Sequence, residues 1–428
     1  MAAPDETALT AAIDRLLSGS SVRTPRSIGV AVSGGGDSTA LLLAAQDWAT
    51  QRDIPVLAAT VDHGLREGAA AEAAWVAALC ESCAIPHTTL RLTTLHDGPA
   101  LQARARDARY AALAGWARAQ GLSQVLLGHT ADDVAETLLM RLKRGMGLDA
   151  LASIPEWRQV EDVNFGRPFL GQSRTDLRAD LASRGIVPLE DPSNDDTRFE
   201  RVAVRKTMRA LGLDPTMLAR SARHLSDART SLDTVAMEDR RELVREDRGD
   251  FVLQGNAIDS LQSDRLRRLV MLILTSITGK PPPREAEQTR LLSQLPRLQA
   301  PQTLAGCIIL PDGSSDHAIR FAREWSAAAP AVPQTPGDAA TVTLWDGRWA
   351  VIGPQRSGLE IGALGDAISQ TPWRDVGLPR VSLMASPAVR DADGALVAAP
   401  VAGLSHGYTA HASEQFSATL RPSPSVFD

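Results

Sequence analysis

Cysteine and lysine are both scarce in this 428-residue chain. The cysteines are Cys80, Cys83 and Cys307, too few for a disulfide framework, which fits a reducing compartment and a cytoplasmic location. The lysines are Lys143, Lys206 and Lys280; nearly all positive charge is arginine. Arginine suits phosphate clamps, but its prevalence weakens an argument from any single one. No apolar run of about eighteen residues occurs, so no membrane span is expected. The start, MAAPDETALTAAIDRLL, has acids where an export signal needs a basic region and then an apolar one. Excess positive charge is also missing. The net charge of -6 excludes a generic nucleic-acid binder and leaves room only for a local basic patch. Hydrophobic residues at 44% and charged residues at 22% are ordinary for a globular chain, and the length allows about two to four domains.

The first two hundred residues alternate strand-like and helix-like segments. Ser27–Val32, Val56–Asp62, His87–Leu92 and Gln124–His129 read as strands. Thr39–Thr50, Ala69–Cys83, Leu101–Ala119 and Ala131–Arg144 read as helices. That alternation predicts a Rossmann-like, doubly wound parallel sheet covered on both faces, with ligands beyond the C-terminal strand ends. Past Arg144 come loops, a helix over Arg174–Arg184 and a basic helix over Phe199–Leu211. Pro215–Gln262 and Asp264–Leu298 look helical. Ala327–Asp338 reads as a linker and Thr341–Ile352 as a hairpin around Asp346-Gly347. The expected division is a catalytic α/β domain over 1–214, a helical domain over 215–328, and a small β-rich or mixed domain over 339–428.

Four motifs fall at the expected strand ends or beside them. Ser33-Gly34-Gly35-Gly36-Asp37-Ser38 follows the first strand and opens a helix. Glycines allow close backbone approach, and the amides, the two hydroxyls and the helix N-terminus form a phosphate nest. Asp37 is unfavourable beside phosphate unless a divalent cation intervenes, which points to Mg²⁺. A G-x-x-x-x-G-K-[ST] loop and G-x-G-x-x-G spacing are both absent. Gly128-His129-Thr130-Ala131-Asp132-Asp133-Val134-Ala135-Glu136-Thr137 follows the fourth strand. Capping accounts for Asp132 but not for three acids and His129 together, and Asp133 and Glu136 share one helix face. Asp62-His63 sits at the end of the second strand, where it is either ordinary loop chemistry or a contact to a base or ribose. Asp191-Pro192-Ser193-Asn194 precedes a basic face made by Arg198, Arg201, Arg205 and Arg209. That face is either an ordinary solvated surface or a phosphate-contacting one. Cys80-x-x-Cys83 lies near a helix C-terminus, whereas a low-pKa thiol pair favours an N-terminus.

The set resembles a known family. SGGGDS is similar to the PP-loop of N-type ATP pyrophosphatases, and GHTADDVAET resembles a signature of tRNA(Ile)-lysidine synthetases. VDHGLR, ARDARYAAL, RPFL and EDPSNDDTRFER fit the same family in the same order, over roughly residues 25–210. The resemblance implies an ATP- and Mg²⁺-dependent enzyme whose partners are free L-lysine and the isoleucine tRNA with a CAU anticodon. It implies that the wobble cytidine is adenylated and then attacked at C2 by the lysine ε-amine, giving lysidine. On that reading Ser33, Gly34, Gly35, Gly36, Asp37 and Ser38 hold the ATP phosphates, with Asp62, His63, Arg109 and Gly128 also at the nucleotide. Asp37 and Asp133 hold Mg²⁺. Asp37, His129, Asp133, Glu136, Arg201 and Arg205 carry the reaction, Asp133 and Glu136 receiving the lysine ammonium.

Two positions depart from the family pattern: Val202 stands where asparagine is common, and Thr130 where a second histidine is. Other readings are a PP-loop tRNA cytidine 2-thiolase, a small-molecule ATP pyrophosphatase, and a non-catalytic adenine-nucleotide- or tRNA-binding protein. A homodimer is left open.

Overall fold

The computed structural model describes residues 7–19, 25–62, 68–92, 101–152, 154–190, 200–313, 316–334, 341–354, 356–413 and 416. The chain forms two compact units, divided between Arg229 and Thr230.

The first unit contains α1 (Ala8–Ser18), β1 (Ile28–Ala31), α2 (Gly36–Thr50), β2 (Val56–Asp62), α3 (Ala69–Ser82), β3 (His87–Arg91), α4 (Leu101–Ala119) and β4 (Gln124–Leu127). It continues with α5 (Ala131–Lys143), α6 (Leu148–Leu151), β5 (Trp157–Val160), β6 (Val163–Gly166), α7 (Arg174–Ser183), α8 (Glu200–Ala210) and the start of α9 (Pro215–Leu243). The sheet order is β3-β2-β1-β4-β6-β5. Pairing is parallel from β3 through β6, and β5 closes the edge antiparallel to β6. β1 and β4 are buried throughout, as expected for strands covered on both faces. On one face α1, α2, α3 and α7 bury Ile13, Leu41, Leu42, Trp48, Val76 and Leu181. On the other, α4 buries Tyr110, Leu113 and Trp116 against Val163 and Phe165.

The doubly wound fold expected from the sequence is therefore present. Two features of this unit escaped the sequence reading. The N-terminal residues form α1, whose Leu9, Ile13, Leu16 and Leu17 are buried and whose cap is the Thr7 hydroxyl accepting from Thr10 N at 3.2 Å. The stretch after Arg144 was expected to be loops, yet it holds the β5–β6 hairpin. Its strands have four residues each and its turn puts Glu161 at φ 53°. Such short strands give little alternation to read.

In the second unit β7 (Val244–Asp247), β8 (Asp250–Leu253), α10 (Gly255–Ser260), α11 (Ser263–Thr278) and α12 (Glu285–Gln294) come first. β9 (Gln302–Leu304), β10 (Cys307–Pro311) and β11 (Ile319–Arg323) complete an antiparallel sheet of order β7-β8-β11-β10-β9. The helical expectation for 215–298 is interrupted by the β7–β8 hairpin, whose Arg248-Gly249 turn has φ 50° and 83°. The remainder contains β12 (Val332–Pro333), β13 (Thr341–Trp345), β14 (Trp349–Gly353), β15 (Glu360–Ala363), α13 (Arg380–Met384), β16 (Pro387–Arg390), β17 (Leu396–Ala398) and β18 (Thr409–Ala412) in two small antiparallel sheets. Asp346 and Gly347 turn the β13–β14 hairpin at φ 54° and 63°, the geometry an Asp-Gly pair favours. The segment read as a linker holds β12, while residues 335–338 of it lie outside the described set.

Candidate active site

β1 has β2 on one side and β4 on the other, and the chain winds outward in both directions from it. The C-terminal ends of β1 and β4 are thus the switch point where an open α/β sheet has its crevice. Three helices begin there: α2, α5 and α7. In the Ser33–Ser38 loop only Gly34 has positive φ, at 88°, and its missing Cβ would lie 2.8 Å from the Leu189 side chain. Gly35 caps α2 and Gly36 opens it, both in ordinary backbone geometry. Ser38 Oγ donates to Gly35 O at 3.0 Å, accepts from Ser33 N at 3.1 Å and meets Ser33 Oγ at 3.1 Å. Thr39 is the first α2 amide to bond back, to Gly35 O at 3.0 Å. The amides of Gly36, Asp37 and Ser38 therefore point ahead of the helix, at the positive end of its dipole. Gly128 lies against this turn: a Cβ there would be 3.0 Å from Asp37 O and Ser38 N.

The second motif opens α5. Thr130 N and Oγ1 donate to Asp133 Oδ2 at 2.9 and 3.0 Å. The other Asp133 oxygen, Oδ1, accepts from Arg174 Nη2 at 2.8 Å. One turn on, Glu136 is fully buried, and its Oε1 accepts from Arg174 Nη1 at 2.7 Å and from Arg205 Nε at 3.0 Å. Arg174 Nε donates to Asp37 Oδ2 at 3.0 Å, and the Arg174 backbone N donates to Asp132 Oδ2 at 2.8 Å. Arg174 thus joins all four acids of the two motifs. The sequence reading placed it at a helix start and gave it no role. One signal was there: a cation at the first position of a helix opposes the dipole and needs carboxylates facing it.

Electrostatics follow from burial and this one guanidinium. Burial raises Asp37 above the ordinary carboxylate value, and Arg174, shared among three acids, offsets only part of it. Burial pushes Asp133 the same way, but Arg174, His129 and the Thr130 N–H hold it below the ordinary range. The three acids raise Arg174. Burial, with Arg167 and Arg109 near, lowers His129 to about 3 against the pull of Asp133, so its ring is neutral at physiological pH.

A cavity of about 570 Å³ opens over these groups. Its walls include Ser33, Gly35, Gly36, Asp37, Ser38, Gly128, His129 and Asp133. Seven basic side chains line it (Arg109, Arg174, Arg178, Arg201, Arg205, Lys206 and Arg209) against four acids, Asp37, Glu72, Asp133 and Glu190. A polyanion fits that balance, although the chain as a whole is acidic. Arg109 and Tyr110 diverge: Arg109 faces the cavity, while Tyr110 Oη accepts from the buried Arg167 at 3.0 Å. Arg205 is anchored on Glu136, whereas the Arg201 side chain is half exposed and 3.9 Å from Asp133.

Several expected members stand elsewhere. Glu136 and Asp62 are not on the cavity wall. His63, Asp191–Asn194 and Arg198 lie outside the described residues. Cys80 is buried in the α3 core with its thiol pushed up to about 11, and Cys83 is a free, partly buried thiol. Among the described residues no three His, Cys, Asp or Glu side chains converge as a metal site. Asp37 and Asp133 nevertheless fit Mg²⁺: both offer hard carboxylate oxygens on the cavity wall, and both already hold a cation, the Arg174 guanidinium. Among the described residues no helix is long and apolar enough to cross a membrane.

Comparison with known proteins bears on this site. A family model described as the PP-loop domain matches residues 5–211. A tRNA(Ile)-lysidine synthase of Ruegeria pomeroyi is 42% identical over 411 residues, covering 94% of this chain and 95% of that one. The enzyme of the same name from Novosphingobium aromaticivorans is 51% identical over 208 residues, 48% of this chain and 63% of its own. The Zymomonas mobilis enzyme is 34% identical over 273 residues, 63% and 81% respectively. Among solved structures, the U34-tRNA thiolase NcsA from Methanococcus maripaludis is similar at 15% identity and a TM-score of 0.43, over 51% of this chain and 77% of that one. The match along nearly the whole chain, with the PP-loop domain spanning the cavity, makes this protein a member of the tRNA(Ile)-lysidine synthase family of PP-loop enzymes.

Proposed function

We propose that this enzyme ligates free L-lysine to C2 of the wobble cytidine of the isoleucine tRNA with a CAU anticodon, using ATP. The observation that carries the reading is one cavity holding a helix-end phosphate cradle, seven basic side chains and the Asp37–Asp133 pair. The Gly36, Asp37 and Ser38 amides receive the β,γ-phosphates. Asp37 and Asp133 would hold Mg²⁺, which supplies charge neutralisation for the leaving pyrophosphate. Arg109 and neutral His129 line the nucleotide end. Half-exposed Arg201 reaches the incoming tRNA backbone, with Arg205 held behind it by Glu136.

In the first step the cytidine O2 attacks the α-phosphorus and the α–β bond breaks, releasing pyrophosphate. In the second the lysine ε-amine attacks C2, AMP leaves with the former O2, and the amine gives up its proton. Asp133 is the acid with access to that amine. Glu136 is fully buried and off the cavity wall, so its part is to hold Arg174 and Arg205. The target cytidine must leave its stack to enter.

The test is incorporation of radiolabelled lysine into CAU-anticodon tRNA with ATP and Mg²⁺. Label should enter with the wild-type chain and fall by roughly 10²-fold or more in Asp37→Ala and Asp133→Ala. Folded, metal-replete protein that incorporates no lysine overturns the reading.

A further inference from the structure

The backbone of Arg174 is clamped. Ser173 and Asp176 form a capping box at the start of α7, and the Arg174 amide is tied to Asp132. Only the side chain is left to move. Its three acidic partners are held unequally. Asp133 has two further donors from Thr130, and Glu136 has Arg205. Asp37 has no second hydrogen-bond donor among the described residues, and its side chain is the most exposed of the three at 27%. It also sits on α2, whereas Asp133 and Glu136 both sit on α5. The bond from Nε to Asp37 is therefore the one that can open without disturbing the rest.

We propose that Arg174 is a positioning residue that occupies Asp37 in the ligand-free protein and yields it to the divalent cation arriving with ATP, while staying bound to Asp133 and Glu136. This rests on the reading of Asp37 as a Mg²⁺ ligand. Guanidinium and metal compete for one carboxylate oxygen, so the free protein binds metal poorly. Metal affinity appears when phosphate oxygens add enough ligands to displace Nε. The arrangement couples metal binding to nucleotide binding.

The experiment is Mn²⁺ titration of the full chain, followed by electron paramagnetic resonance, with and without α,β-methylene-ATP. Arg174→Gln should bind Mn²⁺ about tenfold more tightly than wild type, the value of one charge-assisted hydrogen bond removed from the competitor. In an Asp37→Asn background the same change should raise Mn²⁺ affinity far less than it does in the wild-type background. A purely structural role for Arg174 predicts weaker metal binding instead. Folded Arg174→Gln with equal or weaker Mn²⁺ affinity overturns the proposal. Should that variant fail to fold, Arg174→Lys keeps the charge but loses the fork, and an unchanged Mn²⁺ affinity in it is equally fatal. Asp37→Asn that binds Mn²⁺ as well as wild type strikes the Mg²⁺ reading itself, a separate failure.

Discussion

His129 stands at the end of β4 with its Nδ1 buried and, among the described residues, unpartnered. Its folded pKa, about 3, lies below the ordinary 6.5. The unfolded chain therefore takes up a proton that the folded one refuses. The stability tied to this residue is complete above pH 6.5 and is lost as pH falls toward 3. His129→Gln should flatten the acid side of the stability profile. Urea midpoints at about pH 7.5 and about pH 4.5 measure it. An equal drop in both proteins would mean that the ring is not buried neutral. Arg174 shows why single residues were only partly legible. Asp37, Asp133 and Glu136 announced themselves because acids next to a phosphate loop or clustered at a helix start are anomalous locally. Arg174 lies 137, 41 and 38 residues from its three side-chain partners, so its role exists only once the sheet is closed.

At the scale of elements, the end of β4 approaches the first turn of α2 so closely that Gly128 is the spacer. A Cβ there meets Asp37 O, Ser38 Cα and Ser38 N, all at 3.0 Å, and backbone atoms cannot swing aside. Gly128→Ala should cost about 1–3 kcal/mol of stability and weaken ATP binding by shifting the phosphate cradle. Gly115, on α4, has nothing within 4 Å of its virtual Cβ. Gly115→Ala is the control and should be neutral or stabilising by about 0.5–1 kcal/mol. Equal effects in the two variants, read by thermal unfolding and nucleotide titration, would refute the spacing argument. The parallel strands and their helices were legible because buried apolar runs alternate with helices of even length. β5–β6 and β7–β8 were not, since strands of four residues carry almost no period and the first positive-φ positions of their turns are taken by Glu161 and Arg248 rather than by Asn or Asp.

For the whole molecule, a net charge of -6 coexists with a cavity lined by six arginines and a lysine. Composition excluded a generic nucleic-acid binder and could not locate the basic patch, because it is assembled from α4, α7 and α8. The buried Arg320, holding Asp247, Asp250 and Asp312 at 2.8, 3.1 and 2.7 Å, belongs to the second unit and was equally invisible in the chain order. One consequence concerns turnover. The α2 start and seven cations do not distinguish a polyphosphate that has yet to react from one just released. On the proposed reaction, pyrophosphate should leave slowly and act as a strong product inhibitor, competing with ATP. Adding inorganic pyrophosphatase should raise the multiple-turnover rate while leaving a single turnover untouched, and acceleration of both or of neither would place the slow step elsewhere.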